Sequence, residues 1–583
     1  MDSAGYNILQ VILFTLAGLY QAVRQDFNVL EIAILAVLAV LILRRGFNGR
    51  LWFVSRWEAA LGALARRPAI AFAVLGAAAI AIRLILIPVL PVPKPVVSDE
   101  FSHLLLADTL LHGRVANPTH PMWPHFESLQ IIQQPHYVSN YFPGHAAVLA
   151  AARLLMGNPW LGVVLMSGVC CAVIAWMLAG WMPRRWALFG GVLALLRFSI
   201  GSYWVNSFYG GFLPAIGGAM VAGAYPRLRE RTSIGMSIVF GGGLAILAFT
   251  RPYEGLLFSL PFAVALVRSW LRWRFMLPVA AMVAASVVGL GLYFKQVTGS
   301  PLRTTYSISQ STYGWPASIG WAKPVPIVHR NIELRRYYLY ELDEHTKVDS
   351  VYHFITYLAL RIQEYWRFFI GPMLTIPLLF LAAVWRGRRL RVLMIALAAA
   401  FAAVMFEGAA MPHYLAPATG AIMAVIVECI RRLRTWRFRG HRTGLLLAQA
   451  APVVIMVVLG VRIVAENVGL PYTQKLNYQS WCCKQQGNYA KARVAAFLAG
   501  QPGKHLVIVE PKRDEDNLLQ WIYNDADIDG SQVVWARDLG PEENRKLVEY
   551  FRDRTVWWVD PNAASPRAVA MDSAERHVAG RSF

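Results

Sequence analysis

Long apolar runs alternate with short, arginine-rich connections over most of the first 466 residues. A hydrocarbon core of ~30 Å takes roughly 20 helical residues to cross. Eleven runs meet or approach that length: Ile70–Leu90, Pro159–Trp181, Ala187–Tyr203, Phe212–Tyr225, Ile234–Phe249, Leu256–Val267, Phe275–Phe294, Trp366–Trp385, Val392–Phe406, Tyr414–Ile430 and Leu445–Val464. Val29–Leu43 adds an N-terminal helix before them, and Tyr6–Val23 adds another or lies in the interface. After Glu466 the period changes. The runs "KHLVIVEP", "SQVVWARDL" and "TVWWVDP" read as strands, and "DEDNLLQWIY" and "GPEENRKLVEYFRDR" as helices, the latter opening on proline and acids as a helix start should. The pattern predicts a mainly α, polytopic membrane bundle followed by a small α/β domain.

Charge orients the bundle. The connections "LRRGFNGR", "PRRW", "PRLRER", "RSWLRWR", "WRGRRLR" and "RRLRTWRFRGHR" are basic and short, and such loops stay on the cytoplasmic side. With these fixed inside, "YFPGHAAVLAAARLLM", Tyr141–Met156, cannot cross without turning every later basic loop outward. It is therefore expected to lie on or re-enter the outer face, with Arg153 reaching to the interface. Parity places residues 91–158, residues 295–365 and the C-terminal domain outside. The divisions expected are 1–68, N-terminal membrane helices with a basic cytoplasmic linker; 69–466, the main membrane domain; and 467–583, the extracytoplasmic α/β domain.

Composition agrees. The 583 residues are 56% hydrophobic and 15% charged, with a mean hydropathy of +0.43; soluble domains hold about 25% charged residues. The net charge of +22 does not point to nucleic acid. Beyond Glu466 the 15 basic and 15 acidic residues cancel, so the whole excess belongs to the membrane part and reports topology. The N-terminal "MDSAGYNILQ" lacks the basic start of a cleavable signal. Five cysteines, of which only Cys482 and Cys483 fall on the outer side as neighbours, predict no disulfide framework. "DADIDG", Asp525–Gly530, opens like a calcium loop but has Ala536 where the bidentate glutamate belongs.

Once oriented, the polar residues gather on one side. Asp99, Glu100, His103, Asp108, Glu127, His136, Arg251, Glu254, Glu407 and His413 all fall in outer loops or at outer span ends. The aromatic pieces "GSYWVNSFYGG", "TRPYEG" and "AMPHYLAP" accompany them. Acids placed beside hydrocarbon are costly and usually functional. Asp99 and Glu100, in "VVSDEFSH", also fit a bland role: acids in the first turn of a helix capped by Ser98.

In this set the chain resembles the GT-C glycosyltransferases, polytopic enzymes that take sugars from polyprenyl-phosphate carriers. "SDEFSH" after the first core span is similar to the family's acidic motif, "YVSNYFPGHAAVLAAARLLMGNPW" to its Tyr-Pro segment and following amphipathic helix, and "PHYLAP" to its late His/Arg-Tyr element. "NSFYGG", "TRPYEG" and "TGSPLRTTY" look like a bacterial subgroup. The family's second proline and preceding lysine are replaced here by Phe142 and Asn140. The resemblance covers roughly Ala69 to the C-terminus and leaves the N-terminal helices without a role.

The resemblance implies an inverting transfer of a sugar from a polyprenyl-phosphate donor to an extracytoplasmic glycan, lipid or protein acceptor in a bacterial inner membrane. Asp99, with Glu100 beside it, is then the base for the acceptor hydroxyl. Arg251, Arg303 and His413 are the groups that offset phosphate charge, and Glu127 and Glu254 orient sugar hydroxyls. His103, His136, Tyr141, Tyr306 and Tyr414 complete the expected binding set. Some relatives use a divalent metal at the acidic loop; no metal ligand is assigned from this sequence. The competing class is a multispan transporter of an anionic or lipid-linked substrate, with acids relaying protons. It expects acids at the midplane, whereas these lie outside.

Overall fold

The computed structural model describes residues 28–45, 51–268, 273–314, 323–468, 481–482, 487–513 and 520–571. The expected Tyr6–Val23 segment lies outside them. Helical segments occupy all eleven core positions, one of them in three pieces. Five of these helices are long and apolar enough to cross a membrane unaided: Pro68–Ile85, Pro159–Ala179, Trp273–Thr298, Pro412–Leu433 and Thr443–Ala465. Arg184–Phe198, Ile234–Ala248, Pro252–Arg268 and Arg391–Met405 are shorter. The Arg184–Phe198 helix is continued by an irregular segment, 199–209, whose residues are buried throughout. Non-helical backbone at that depth is tolerated where protein, rather than lipid, surrounds it.

Helices approach closely where small residues meet, the usual device of membrane bundles. A Cβ on Gly168 would stand 2.6 Å from the Gly76 carbonyl, and one on Gly218 only 1.9 Å from the Pro417 carbonyl. Gly218 thereby seats the short 3-10 turn Pro412–Ala418, which carries His413, against the Phe212–Glu230 helix.

Three expectations need correction. The predicted span Trp366–Trp385 is broken into the end of Val351–Phe369, then Gly371–Leu378 and Leu381–Arg386. Gly371 takes a left-handed φ of 69° and is followed by Pro372, with Pro377 farther on, so a continuous helix is not sustained. The stretch read as a basic linker holds a helix, Trp52–Leu64, tied by Glu58 to Arg434. In "DEDNLLQWIY" the described residues, Gln520–Tyr523, are not helical; the rest lies outside the described residues.

The N-terminal helix Asn28–Arg45 is part of the core. Buried Glu31 accepts a hydrogen bond of 2.7 Å from the Met373 amide at the start of Gly371–Leu378. Its charge also faces Arg197 and Arg462, two arginines that stack on buried Trp481 at 4.2 and 4.9 Å. Arg197 in turn donates to the Phe368 carbonyl at 2.7 Å. Next to Trp481, Cys482 is disulfide-bonded, contrary to the sequence expectation; Cys170, Cys171 and Cys429 are free.

The Pro143–Met156 helix is present as expected. Pro143 opens it, Gly157 closes it at a φ of 72°, and Leu154 and Leu155 point outward, 73% and 79% exposed. Arg153 does not reach for lipid: it pairs with Asp108 at 2.9 Å. The C-terminal domain is built on four strands, β1 (His505–Val509), β2 (Val533–Arg537), β3 (Thr555–Val559) and β4 (Val569–Ala570), in the sheet order β2-β1-β3-β4, with β1 parallel to β2 and β3, and β4 antiparallel to β3. The helices Tyr489–Ala499, which the pattern did not announce, and Pro541–Tyr550 accompany it. Its core is continuous with the first outer loop: Leu105, Phe126, Ile131 and Tyr137 pack with Leu506, Ile508, Val534 and Val556.

Candidate active site

The Ser98–Leu111 helix begins where the chain leaves the Pro68–Ile85 helix through four prolines from Pro88 to Pro95. Its cap is Val97, not Ser98. Glu100, in the first turn, reaches back to the two amides just ahead of the helix. One oxygen of Glu100 accepts from Val96 and Val97 N–H at 2.8 and 3.1 Å. The other accepts from Phe208 N–H at 3.0 Å, fastening the buried 199–209 segment to the helix. Burial pushes the Glu100 carboxyl up to about 7 despite these bonds. With both oxygens committed to main-chain amides, Glu100 is built into the scaffold.

Asp99, one residue earlier, is only partly buried. It accepts a hydrogen bond from the Tyr141 hydroxyl. Burial holds its carboxyl above the usual carboxylate range, while Tyr141 and the charge of Arg251 pull the other way. Arg251 pairs with Glu254 at 3.3 Å and lies over the Tyr414 ring at 4.3 Å; the charge of Glu407 also reaches it. One residue of the loop "SDEFSH", the end of "TRPYEG" and the turn "PHYLAP" thus converge, although they are some 150 residues apart along the chain at each step.

Three imidazoles, His103, His145 and His413, lie close to one another and to Arg251. His103 stacks on Tyr141, ring centroids 4.7 Å apart, and meets His145 edge-on at 4.9 Å. His145 Nε2–H donates to the Phe208 carbonyl at 2.7 Å. Among the described residues, Nδ1 of His103 and Nδ1 of His145 are buried without a hydrogen-bond partner. Burial pushes both rings down, His145 to about 4, so they are neutral near pH 7. His413 Nδ1 lies 3.0 Å from the Tyr203 hydroxyl. Tyr306 packs edge-on to Tyr141 at 6.2 Å.

Of the residues proposed from sequence, Asp99, His103, Tyr141, Arg251, Glu254, Tyr306, His413 and Tyr414 are brought together. Four are not. Glu100 is behind the site, as above. Glu127 sits at the joint with the C-terminal domain, beside the charges of Arg330 and Arg537, and its carbonyl accepts from Arg537 at 3.0 Å. His136 Nδ1–H donates to the Val297 carbonyl at 2.9 Å, which braces the first outer loop on the Trp273–Thr298 helix. Arg303 is exposed and bonds Ser311 at 3.1 Å. Sequence reading missed His145, hidden in an amphipathic helix, and Tyr203 and Tyr209 from the buried segment. It also missed Glu341, whose carboxyl is pushed up to about 7 by burial, with Asp99 adding to the rise.

A divalent cation takes several free oxygen ligands. Glu100 is saturated by amides and Asp99 is paired with a tyrosine hydroxyl, so this donor set does not fit one. Among the described residues no three His, Cys, Asp or Glu side chains converge as ligands.

No protein-family model matches the chain, and no curated protein does either. Among solved structures the chain is similar to ArnT and to an archaeal oligosaccharyltransferase. ArnT from Cupriavidus metallidurans, bound to undecaprenyl phosphate, aligns over 83% of this chain and 92% of its own at 13% identity, with a TM-score of 0.47. The apo form of ArnT gives 15% identity and a TM-score of 0.45 over the same shares. The oligosaccharyltransferase AglB from Archaeoglobus fulgidus, with an inhibitory peptide and a dolichol phosphate, aligns over 87% and 70% at 9% identity, TM-score 0.44. The likeness is one of general architecture, and the residue roles below rest on the geometry of this site.

Proposed function

We propose that the chain transfers a sugar from a polyprenyl-phosphate carrier to an acceptor hydroxyl at the outer membrane face. One juxtaposition carries the reading: a partly accessible acid, Asp99, and a cation, Arg251, lie close to two buried imidazole nitrogens that have no hydrogen-bond partner among the described residues. Buried polar atoms without partners are exceptional and ask for an occupant. The nitrogens of neutral imidazoles can accept from, or donate to, the hydroxyls of a sugar.

In this reading Asp99 accepts the proton of the acceptor hydroxyl as its oxygen attacks the anomeric carbon. The new C–O bond forms while the bond from that carbon to the phosphate oxygen breaks. The prenyl phosphate departs with the electron pair, and the configuration inverts. Tyr141 orients the carboxylate and keeps part of it ionised. Arg251 faces the departing phosphate, where its planar fork can bind two oxygens, and His413 stands beside it on the Tyr203 hydroxyl. Glu254 and Tyr414 fix the guanidinium. The acid–cation site lies at one end of the apolar helices, where a lipid carrier's anionic head would sit. The described residues of the C-terminal sheet region lie on the same face, since they share a core with the first outer loop, and the basic-loop rule makes that face extracytoplasmic in this reading.

The test is transfer by the detergent-purified protein from a panel of polyprenyl-phosphate sugars, together with mass analysis of lipid-linked sugars and envelope glycans in cells with and without the gene. The reading requires a product that disappears with Asp99→Asn and an accumulated donor in its absence. An unaltered glycan profile with uptake or export of a solute would replace it by transport.

A further inference from the structure

The long outer loop contributes a helix, Ile332–Thr346, capped by Asn331 through a 2.9 Å bond to Leu334 N–H. Its first turn is held by the C-terminal domain at the carboxyl ends of the sheet strands. Glu333 pairs at 2.6 Å with Arg537, the last residue of β2, which is 2% exposed, and its other oxygen accepts from Lys512 N–H at 3.3 Å. Arg336 donates to the carbonyls of Lys512 and Arg513, just beyond β1, at 2.6 and 3.2 Å.

One turn farther along, the same helix meets the candidate active site. The Tyr337 hydroxyl accepts from Gln130 Nε2–H at 2.8 Å. Gln130 is a hub: its Oε1 accepts from Asn140 Nδ2–H at 2.8 Å, and its carbonyl accepts from Ser102 Oγ–H at 2.7 Å and Asn140 N–H at 3.1 Å. Ser102 lies on the helix of Asp99, and Asn140 immediately precedes Tyr141. Ser139 Oγ, 2.7 Å from Ser102 Oγ, accepts from Tyr141 N–H at 3.0 Å. Gln130 makes these bonds from a left-handed backbone, φ 59°, which a residue with a side chain adopts only when its surroundings impose it. Two elements that the mechanism leaves idle, Glu333–Arg537 and Gln130, are therefore the two ends of one bonded path to Tyr141.

We infer that Glu333, Arg537, Tyr337 and Gln130 are positioning residues: the C-terminal domain clamps the Ile332–Thr346 helix, and through Gln130 the clamp sets the orientation of Tyr141 on Asp99. The C-terminal domain is then a working part of the acceptor side of the site. This rests on the transfer reading for its effect on turnover, but not for the clamp itself.

Two substitutions in the full-length purified protein test it, Glu333→Ala at the clamp and Tyr337→Phe at the hub. Both should raise the acceptor KM roughly tenfold to a hundredfold, the range a misplaced reacting group costs. Both should also displace the acid limb of the pH–rate profile, with donor affinity unchanged. A second readout needs no turnover. Hydrogen exchange in Glu333→Ala should speed up at residues 332–346 and also at 98–103 and 136–141; Tyr337→Phe should do so only at the latter two. Faster exchange confined to 332–346, with acceptor KM and pH profile as in the wild type, overturns the inference. If no sugar substrate is ever found, the proposed function falls, while the exchange pattern still decides the clamp.

Discussion

Replacing Tyr141 by phenylalanine removes one oxygen and leaves the ring stacked on His103, so the change isolates the bond to Asp99. In the protein that bond opposes the upward push of burial on the Asp99 carboxyl. A hydrogen bond to a charged group is worth about 1.5–3 kcal/mol. Its loss, at about 1.4 kcal/mol per factor of ten, lowers the ionised fraction of Asp99 on the acid limb roughly tenfold to a hundredfold. The sign is fixed: the hydroxyl stabilises the proton-free form, so without it the limb moves to higher pH. The assay is initial transfer rate across pH at subsaturating acceptor. At high pH, where Asp99 is ionised in both proteins, the rates should approach each other. A limb that stays in place, or moves to lower pH, would show that Asp99 is not the group whose ionisation the rate reports.

Asp99→Asn should abolish transfer and raise the melting temperature at pH 7. An acid whose folded pKa is raised by burial lends stability only below its unfolded pKa and loses it as pH rises through the folded one; lower melting would contradict the burial reasoning. Glu333 behaves oppositely, since Arg537 holds its carboxyl below the ordinary range. The stability lost in Glu333→Ala should be largest near pH 7 and shrink as acid protonates the wild-type residue, as thermal scans at several pH values would show. Arg251→Ala should weaken binding of undecaprenyl phosphate while leaving acceptor binding unchanged; equal loss of both would remove its phosphate role. Gly218→Ala should disrupt folding, because the added methyl meets the Pro417 carbonyl at 1.9 Å; a normal elution profile with intact activity would refute that contact. Cysteines placed at Leu302, 93% exposed, and at Arg388 should react with a membrane-impermeant maleimide from outside and only after lysis, respectively.

The bundle was readable because its two signals are crude and repeated: apolar length and arginine sidedness. Parity alone kept Pro143–Met156 out of the spanning set. The Trp366–Trp385 span failed because hydropathy sums over Gly371 and Pro377, whereas the backbone responds to each. At the site, Asp99 and Arg251 stood out as charges among apolar neighbours. Glu100 looked equally reactive, and nothing local announced that its oxygens close on Val96, Val97 and Phe208, the last 108 residues away. His145 was passed over because one histidine in an alanine-rich helix carries no signal until its neighbour, His103, is known. Glu341 sits on the Ile332–Thr346 helix, within an outer segment for which the sequence reading assigned no helix.

Glu31 ties the first described helix to the last two thirds of the chain, since its partners Met373, Arg197 and Arg462 are all made later. During synthesis this carboxylate enters the bilayer long before residue 462 leaves the ribosome, and for that interval it has no counter-charge from the Thr443–Asn467 helix. The buried cluster of Glu31, Arg197 and Arg462 is therefore completed only once the Thr443–Asn467 helix has been made.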